Sequence, residues 1–138
     1  MPTYSGELRL KTAGNGDTID LTEGVERVVR AAEVEEGVVT VFVPGSTAAV
    51  TTMEYEPGGV ADLRATLDRL IPAAGDYEHN RLNHDTNSHA HIRAAIVGPS
   101  ETIPLHEGTL RMGIWQQVVL VDFDDGQRDR TVVVTVVS

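Results

Sequence analysis

Apolar and polar positions along the chain change period several times, and each change marks an element. In GELRLKT (residues 6–12) Leu8 and Leu10 alternate with polar neighbours, the pattern of a half-buried strand. From Asp20 the period lengthens. Leu21, Val25, Val28, Val29 and Ala32 recur at helical spacing, Asp20 and Glu23 stand in a capping-box relation, and Gly37 is the expected stop. VVTVFV (38–43) is short, apolar and β-branched, which predicts a buried strand broken at Pro44-Gly45. AAVTTMEYE (48–56) predicts the next strand, ended by Pro57-Gly58-Gly59. Val60, Leu63, Leu67 and Leu70 then predict a second amphipathic helix that Pro72 stops. HIRAAIVG (91–98) fits a short helix or a strand, and Asn87 or Ser88 could cap a helix there.

Beyond residue 100 the pattern turns to β. ETIPL (101–105), a turn at HEGT, a long apolar strand LRMGIWQQVVLVDF (110–123), a turn at DDGQ and DRTVVVTVV (129–137) follow in order. The last two strands predict an antiparallel hairpin about ten residues long. The sum is an α+β fold, an extensive and largely antiparallel sheet with two main helices packed on it. TVVVTVV and QQVVLV are apolar on both faces, more than one core needs, so burial between subunits is expected.

Composition narrows the function. With 138 residues and 41% hydrophobic content, residues 1–138 form one domain with one real core. The formal charge of −10 repels phosphate backbones and speaks against nucleic-acid binding. The chain has no cysteine, no long apolar run and no secretory layout at MPTYSGELRLK. A soluble cytoplasmic protein without membrane contact, disulfides or thiolate metal sites is the expectation.

Candidate chemistry concentrates in YEHNRLNHDTNSHAHIRAA (77–95), which holds His79, His84, His89 and His91 beside Asp85 and Asn87. Imidazole is the commonest metal ligand and titrates near neutrality, so such a cluster suits a divalent ion, zinc or similar, or acid/base work. His79, His89 and His91 are the candidate ligands. A helix would set His89 and His91 about 200° apart and prevent joint ligation, whereas an extended strand would put them on one face. Hydrogen-bonded structural histidines and solvated loop histidines are the plainer alternatives.

Further candidates lie elsewhere. Ser46 and Thr47 in PGST offer hydroxyls and backbone N–H groups to a polar ligand, though a turn alone explains them equally. Glu54 in an apolar strand is a candidate base or ligand, or a solvent-facing neighbour of Glu56. Trp115, the one tryptophan, and Gln116 could stack on and hydrogen-bond a ring, against the commoner fate of a core tryptophan. Arg128 and Arg130 flank Asp129, where a guanidinium could clamp a phosphate or form a surface ion pair. Phosphate-binding loops, dinucleotide fingerprints, metalloprotease helices and nucleophile elbows are absent.

Taken in order, GSTAAVTTMEYEP, YEH, NSHAHIRAAIVGPSETIPL and GTLRMGIWQQVVLVDFDDGQRDRTVVV resemble the YjbQ family of small proteins, often described as secondary thiamine-phosphate synthase enzymes, over residues 4–136. The resemblance implies an α+β fold with a barrel-like antiparallel sheet, assembled as a homotrimer with sites near subunit boundaries. It also implies a metal-binding or catalytic set that transfers here to Glu54, His79, His91, Trp115, Gln116 and Arg130. One departure stands out: many members read His-Thr-Ser where this chain has Gly45-Ser46-Thr47, and His89 is the candidate replacement.

The implied activity joins a pyrimidine diphosphate to a thiazole phosphate. A divalent ion and Arg130 would meet the pyrophosphate, Trp115 the pyrimidine, and His91 with Glu54 the protons; Ser46, Thr47, Asn87 and Gln116 would bind substrate. A net charge of −10 sits poorly with two phosphorylated substrates. The other reading is a non-catalytic trimer that holds a metal or a small metabolite.

Overall fold

Val and Thr crowd the strand segments because branched side chains suit a pleated surface. The structure, a computed structural model that describes residues 2–138, pairs these segments antiparallel throughout. One sheet has the order β1 (Thr3–Thr12), β8 (Arg128–Val137), β3 (Gly37–Phe42), β5 (Ser100–His106), β6 (Thr109–Leu110). The second has the order β2 (Asp17–Asp20), β7 (Gln117–Asp122), β4 (Ala48–Met53). Four helices accompany them: α1 (Thr22–Ala32), α2 (Pro57–Leu70), α3 (Glu78–Asn83) and α4 (Ser88–Val97). This is the expected α+β class, with the antiparallel strands bent into a half-barrel.

Two apolar layers hold it together. Val25, Val28 and Val29 of α1 close a core between the inner faces of the sheets, where Val39, Val41, Val132, Val134 and Val136 meet Val50, Val118 and Leu120. The other face of the second sheet presents Ala49, Val119, Val121 and Phe123 to Leu67 of α2 and Ala90 and Ala94 of α4. β7 is therefore buried on both faces within a single chain. β8 alternates instead, with Val132, Val134 and Val136 inward.

The expected hairpin between the last two strands does not form. β7 pairs with β2 and β4, while β8 pairs with β1 and β3. Both strands carry apolar inward faces, so they meet across the core rather than side by side, and DDGQ carries the chain from one sheet to the other. The long strand 110–123 is also broken. Residues 111–116 leave the ladder, and pairing resumes at Gln117.

Smaller differences have local causes. VVTVFV is half-buried rather than buried, since Val38 and Phe42 point away from the core. Pro57-Gly58-Gly59 opens α2 instead of only ending a strand, because the Glu56 carboxylate accepts the backbone N–H groups of Gly58 (2.8 Å) and Gly59. α1 ends at Ala32 with Glu33 left-handed, ahead of Gly37. Its N-cap is Leu21, while Asp20 Oδ1 accepts the N–H of Thr22 at 3.0 Å, so the capping box is replaced by one upstream carboxylate. No helix among the described residues is long and apolar enough to cross a membrane.

Candidate functional site

The histidine segment folds as two short helices, and its register decides which imidazoles can cooperate. α4 is helical, so His89 and His91 point to opposite sides. His89 faces inward, 4% exposed, with no partner for Nδ1. Burial lowers its pKa, helped by Arg93 one turn on and opposed by Asp125, Asp124 and Asp68. Arg93 is itself buried and donates to the Ile71 carbonyl (2.6 Å) and to Asp68 Oδ1 (3.2 Å), which ties α4 to the end of α2.

His91 faces outward and meets His79 of α3, with ring centroids 4.7 Å apart at 59°. The Asn87 amide lies 3.1 Å from His79 Nε2, and with its nitrogen turned to that side it donates there and to Asp85 Oδ2 at 3.2 Å. Asp85 Oδ2 lies 3.7 Å from the same ring nitrogen. The pair is half-exposed, and Asn80 steadies the junction by accepting the N–H of Ser88 at 3.1 Å. His84 is exposed at the left-handed end of α3.

The expected ligand set His79, His89 and His91 is thus not one set. α4 buries His89 on the face opposite His91, and the Nε2 atom of His79 is engaged by Asn87. Among the described residues no three His, Cys, Asp or Glu side chains converge as a metal site. The described residues of one chain do not fit a resident divalent ion.

Arg130 belongs to a second cluster, at the junction of the two sheets. Its Nε and Nη2 donate to Asp122 Oδ2 (2.8 Å) and Oδ1 (2.9 Å), and Nη2 also donates to Thr47 Oγ1 (2.8 Å). Thr47 in turn donates to Asp124 Oδ2 (2.9 Å), Thr12 donates to Asp122 Oδ2 (2.5 Å), and Arg128 Nε donates to Asp124 Oδ2 (3.0 Å). The carboxylates are 0% and 2% exposed, so the expected anion clamp is occupied by the protein's own acids. Gly45 borders this network. A Cβ there would lie 2.9 Å from Arg130 Nη1, so a larger residue would have to push the guanidinium aside. Thr47 is buried in this network, whereas the neighbouring Ser46 is exposed.

Asp122, Asp124 and Thr12 were missed as a unit by sequence reasoning. The signal was present in VDFDD, where acids directly follow an apolar strand and, if buried, require cations. Burial raises the pKa of Asp122, but Arg130, Thr12 and the Asp124 N–H outweigh it and the net shift is downward. For Asp124 burial is likewise outweighed, by the Asp125 N–H, Thr47 and Arg128, and the pKa falls to about 2. Groups depressed in the folded state bind fewer protons there than in the unfolded chain. Their stabilisation is complete above the ordinary carboxylate range and is lost as pH falls from about 4 toward about 2. Urea midpoints measured from pH 6 to pH 2.5 should fall steepest below pH 4, and Asp124→Asn should flatten that decline. A wild-type midpoint independent of pH there would contradict the network.

The remaining candidates form a third group. Trp115 is 69% exposed in the 111–116 segment and is not a core residue. Gln116 Nε2 donates to Thr52 Oγ1 (2.9 Å), and its Oε1 accepts the Gly113 N–H (3.0 Å). Both residues, with exposed Glu54 and Thr52, line a shallow surface pocket. They also border a groove of about 690 Å³ that reaches Glu26 and Arg30 on α1.

The groups lie apart. Trp115 and Gln116 precede the Gln117 end of β7, while Thr86, next to Asn87, is bonded to Asp125 just past the Asp122 end. The six residues between span about 17 Å. One chain therefore holds an imidazole pair and an indole-amide-carboxylate patch at opposite ends of one strand.

Known proteins share this architecture. A YbjQ-like protein of unknown function from Sulfolobus solfataricus superposes with a TM-score of 0.93 at 30% identity, over 98% of this chain and 96% of that one. A YjbQ/UPF0047 protein from Clostridium acetobutylicum superposes with a TM-score of 0.88 at 37% identity, over 96% and 99%. In sequence, a UPF0047 protein of Archaeoglobus fulgidus is 39% identical over 93% of this chain and 97% of its own length. Residues 6–138 match the family described as UPF0047 protein YjbQ-like. With the whole fold and nearly the whole sequence shared, this chain belongs to the YjbQ/UPF0047 family.

Proposed function

We propose that this YjbQ protein works as a self-associated binding protein for a small polar molecule, with each site assembled from two copies. The observation that carries the reading is the separation of the half-sites by the length of β7. The His79–His91 pair supplies ring nitrogens, and the Asn87 amide and Asp85 carboxylate supply a donor and an acceptor beside them. From a neighbouring copy, Trp115 would contribute an aromatic face and Gln116 and Glu54 polar anchors. A divalent ion at the imidazole pair would need ligands from that second copy too.

The exposed indole also favours a second reading, thiamine-phosphate synthase in a homotrimer, with a pyrimidine stacked on Trp115. Arg130 weighs against it, because its charge is already met by Asp122. The discriminating experiment uses purified wild type, His91→Ala, Glu54→Ala and a remixed assembly of the two variants. Zinc binding is measured by titration calorimetry, and thiamine phosphate formation from the pyrimidine diphosphate and thiazole phosphate by chromatography. Under the shared-site reading each variant loses the signal, and remixing restores a fraction of it. Equal trace synthesis by wild type and His91→Ala removes the enzyme reading. A monomeric wild type, or variants that remixing never rescues, removes the shared site.

A further inference from the structure

The groove of about 690 Å³ runs between α1 and residues 108–117. Its apolar base is part of the main core: Val29 of α1 is buried, and Leu110 and Met112 pack against the same cluster. Residues 113–116 line both this groove and the shallow pocket beside Glu54, and so form the wall between them. On that wall Ile114 and Trp115 are 88% and 69% exposed, while the α1 side carries Glu26 and Arg30.

Most other polar side chains along the groove are engaged within the protein. Thr22 Oγ1 accepts the Val118 N–H (3.0 Å), Gln117 Nε2 donates to Asp20 Oδ2 (2.7 Å), and the Gln116 amide is bonded at both ends, to Gly113 and Thr52. Glu26 and Arg30 are not. They stand one turn apart on α1, in the acid-before-base order that favours direct pairing, yet neither side chain has an ion-pair partner among the described residues. An unmet carboxylate and an unmet guanidinium thus border an apolar trough.

That arrangement selects a ligand chemistry. A simple anion meets repulsion from Glu26 and from the chain's net charge of −10, and a simple cation meets Arg30. A wholly apolar molecule would take water from both charges and return nothing. A zwitterion answers both charges and has no net charge of its own. We propose that the groove binds an α-amino acid with an apolar side chain. Arg30 donates to its carboxylate, Glu26 accepts from its ammonium group, and the side chain lies over Leu110 and Met112 beside the Trp115 ring. The groove has the volume of a small-molecule site and a few polar groups set against an apolar lining, as such sites do. It is complete within one chain, so the proposal stands apart from the shared-site reading.

The test is titration calorimetry on the wild-type protein with L-phenylalanine, accompanied by emission from Trp115, the only tryptophan. Three analogues divide the ligand: phenylpropanoate keeps the ring and the carboxylate, phenethylamine keeps the ring and the ammonium, and glycine keeps both charges without the ring. L-Phenylalanine should bind saturably and move the emission to shorter wavelength, and each analogue should bind at least about tenfold more weakly. Arg30→Gln and Glu26→Gln should each weaken L-phenylalanine about tenfold, with the circular dichroism unchanged. Absence of saturable heat overturns the proposal, as does equal binding of either one-charge analogue, or either Gln variant binding like wild type. Heat without a change in Trp115 emission places the ligand elsewhere and overturns it too. Should a variant fail to fold, the analogue series on wild type decides.

Discussion

Arg130→Met is expected to lower the free energy of unfolding by about 3–5 kcal/mol, read from urea denaturation at pH 7. The guanidinium bonds both oxygens of Asp122, lies 3.9 Å from Asp124, and ties Thr47 to the group. Removing it leaves Asp122, which is 0% exposed, without its cation, and an uncompensated buried charge is what makes such losses large. The partners differ in reach: Arg128 still pairs with Asp124, so Asp122 carries most of the damage. Adding Asp122→Asn to Arg130→Met should therefore recover part of the loss, a non-additivity expected of contacting residues. The same variant separates two roles. If Arg130→Met unfolds as easily as this while any zinc or synthase signal of the surviving folded fraction is intact, Arg130 is a structural pin. Unchanged stability with a lost signal would instead make it a ligand-binding group.

Phe123→Ala should cost a further large amount, about 3–5 kcal/mol for a fully buried aromatic ring. Phe123 is 1% exposed and packs with Leu67 of α2 and Ala90 and Ala94 of α4. Its loss opens a cavity under the helix that carries His91, and the small alanines cannot collapse far enough to fill it. The effect is thus expected to be local as well as global. Amides of residues 88–97 should lose hydrogen-exchange protection more than those of β3 or β8, whose valines belong to the other layer. Uniform loss of protection through both layers would mean that the two cores unfold as one unit.

These expectations show how far local pattern reaches. Alternation in 6–12, the periodic apolar residues of 21–32 and 60–70, and the β-branched runs were enough for the α+β class and the antiparallel character. The motifs carrying the YjbQ resemblance were legible for the same reason, being contiguous in the chain. Sheet membership was not. Nothing local in LRMGIWQQVVLVDF or DRTVVVTVV says that β7 and β8 face each other across a core, because a two-residue period is satisfied equally by neighbouring and by opposing strands. The same gap explains the short β2 and α3, whose few apolar residues give little periodic signal.

The site divides along the same line. That His79, His91, Trp115, Gln116, Glu54 and Arg130 are the chain's chemically capable residues follows from residue type and motif alone. Which of them meet was decided by three-dimensional packing. The helical register of α4 turns His89 into the interior and His91 outward to His79, the crossing from β7 to β8 encloses Arg130 with Asp122 and Asp124, and the length of β7 holds Trp115 away from both. Hydrophobic spacing acts over one or two turns of chain, whereas the enclosure of the buried Arg130–Asp122 pair depends on residues far away in sequence, Thr47 at 83 residues from Arg130 and Thr12 at 110 from Asp122. Sequence alone therefore determined what the protein can build with, and the tertiary structure determined which groups stand together.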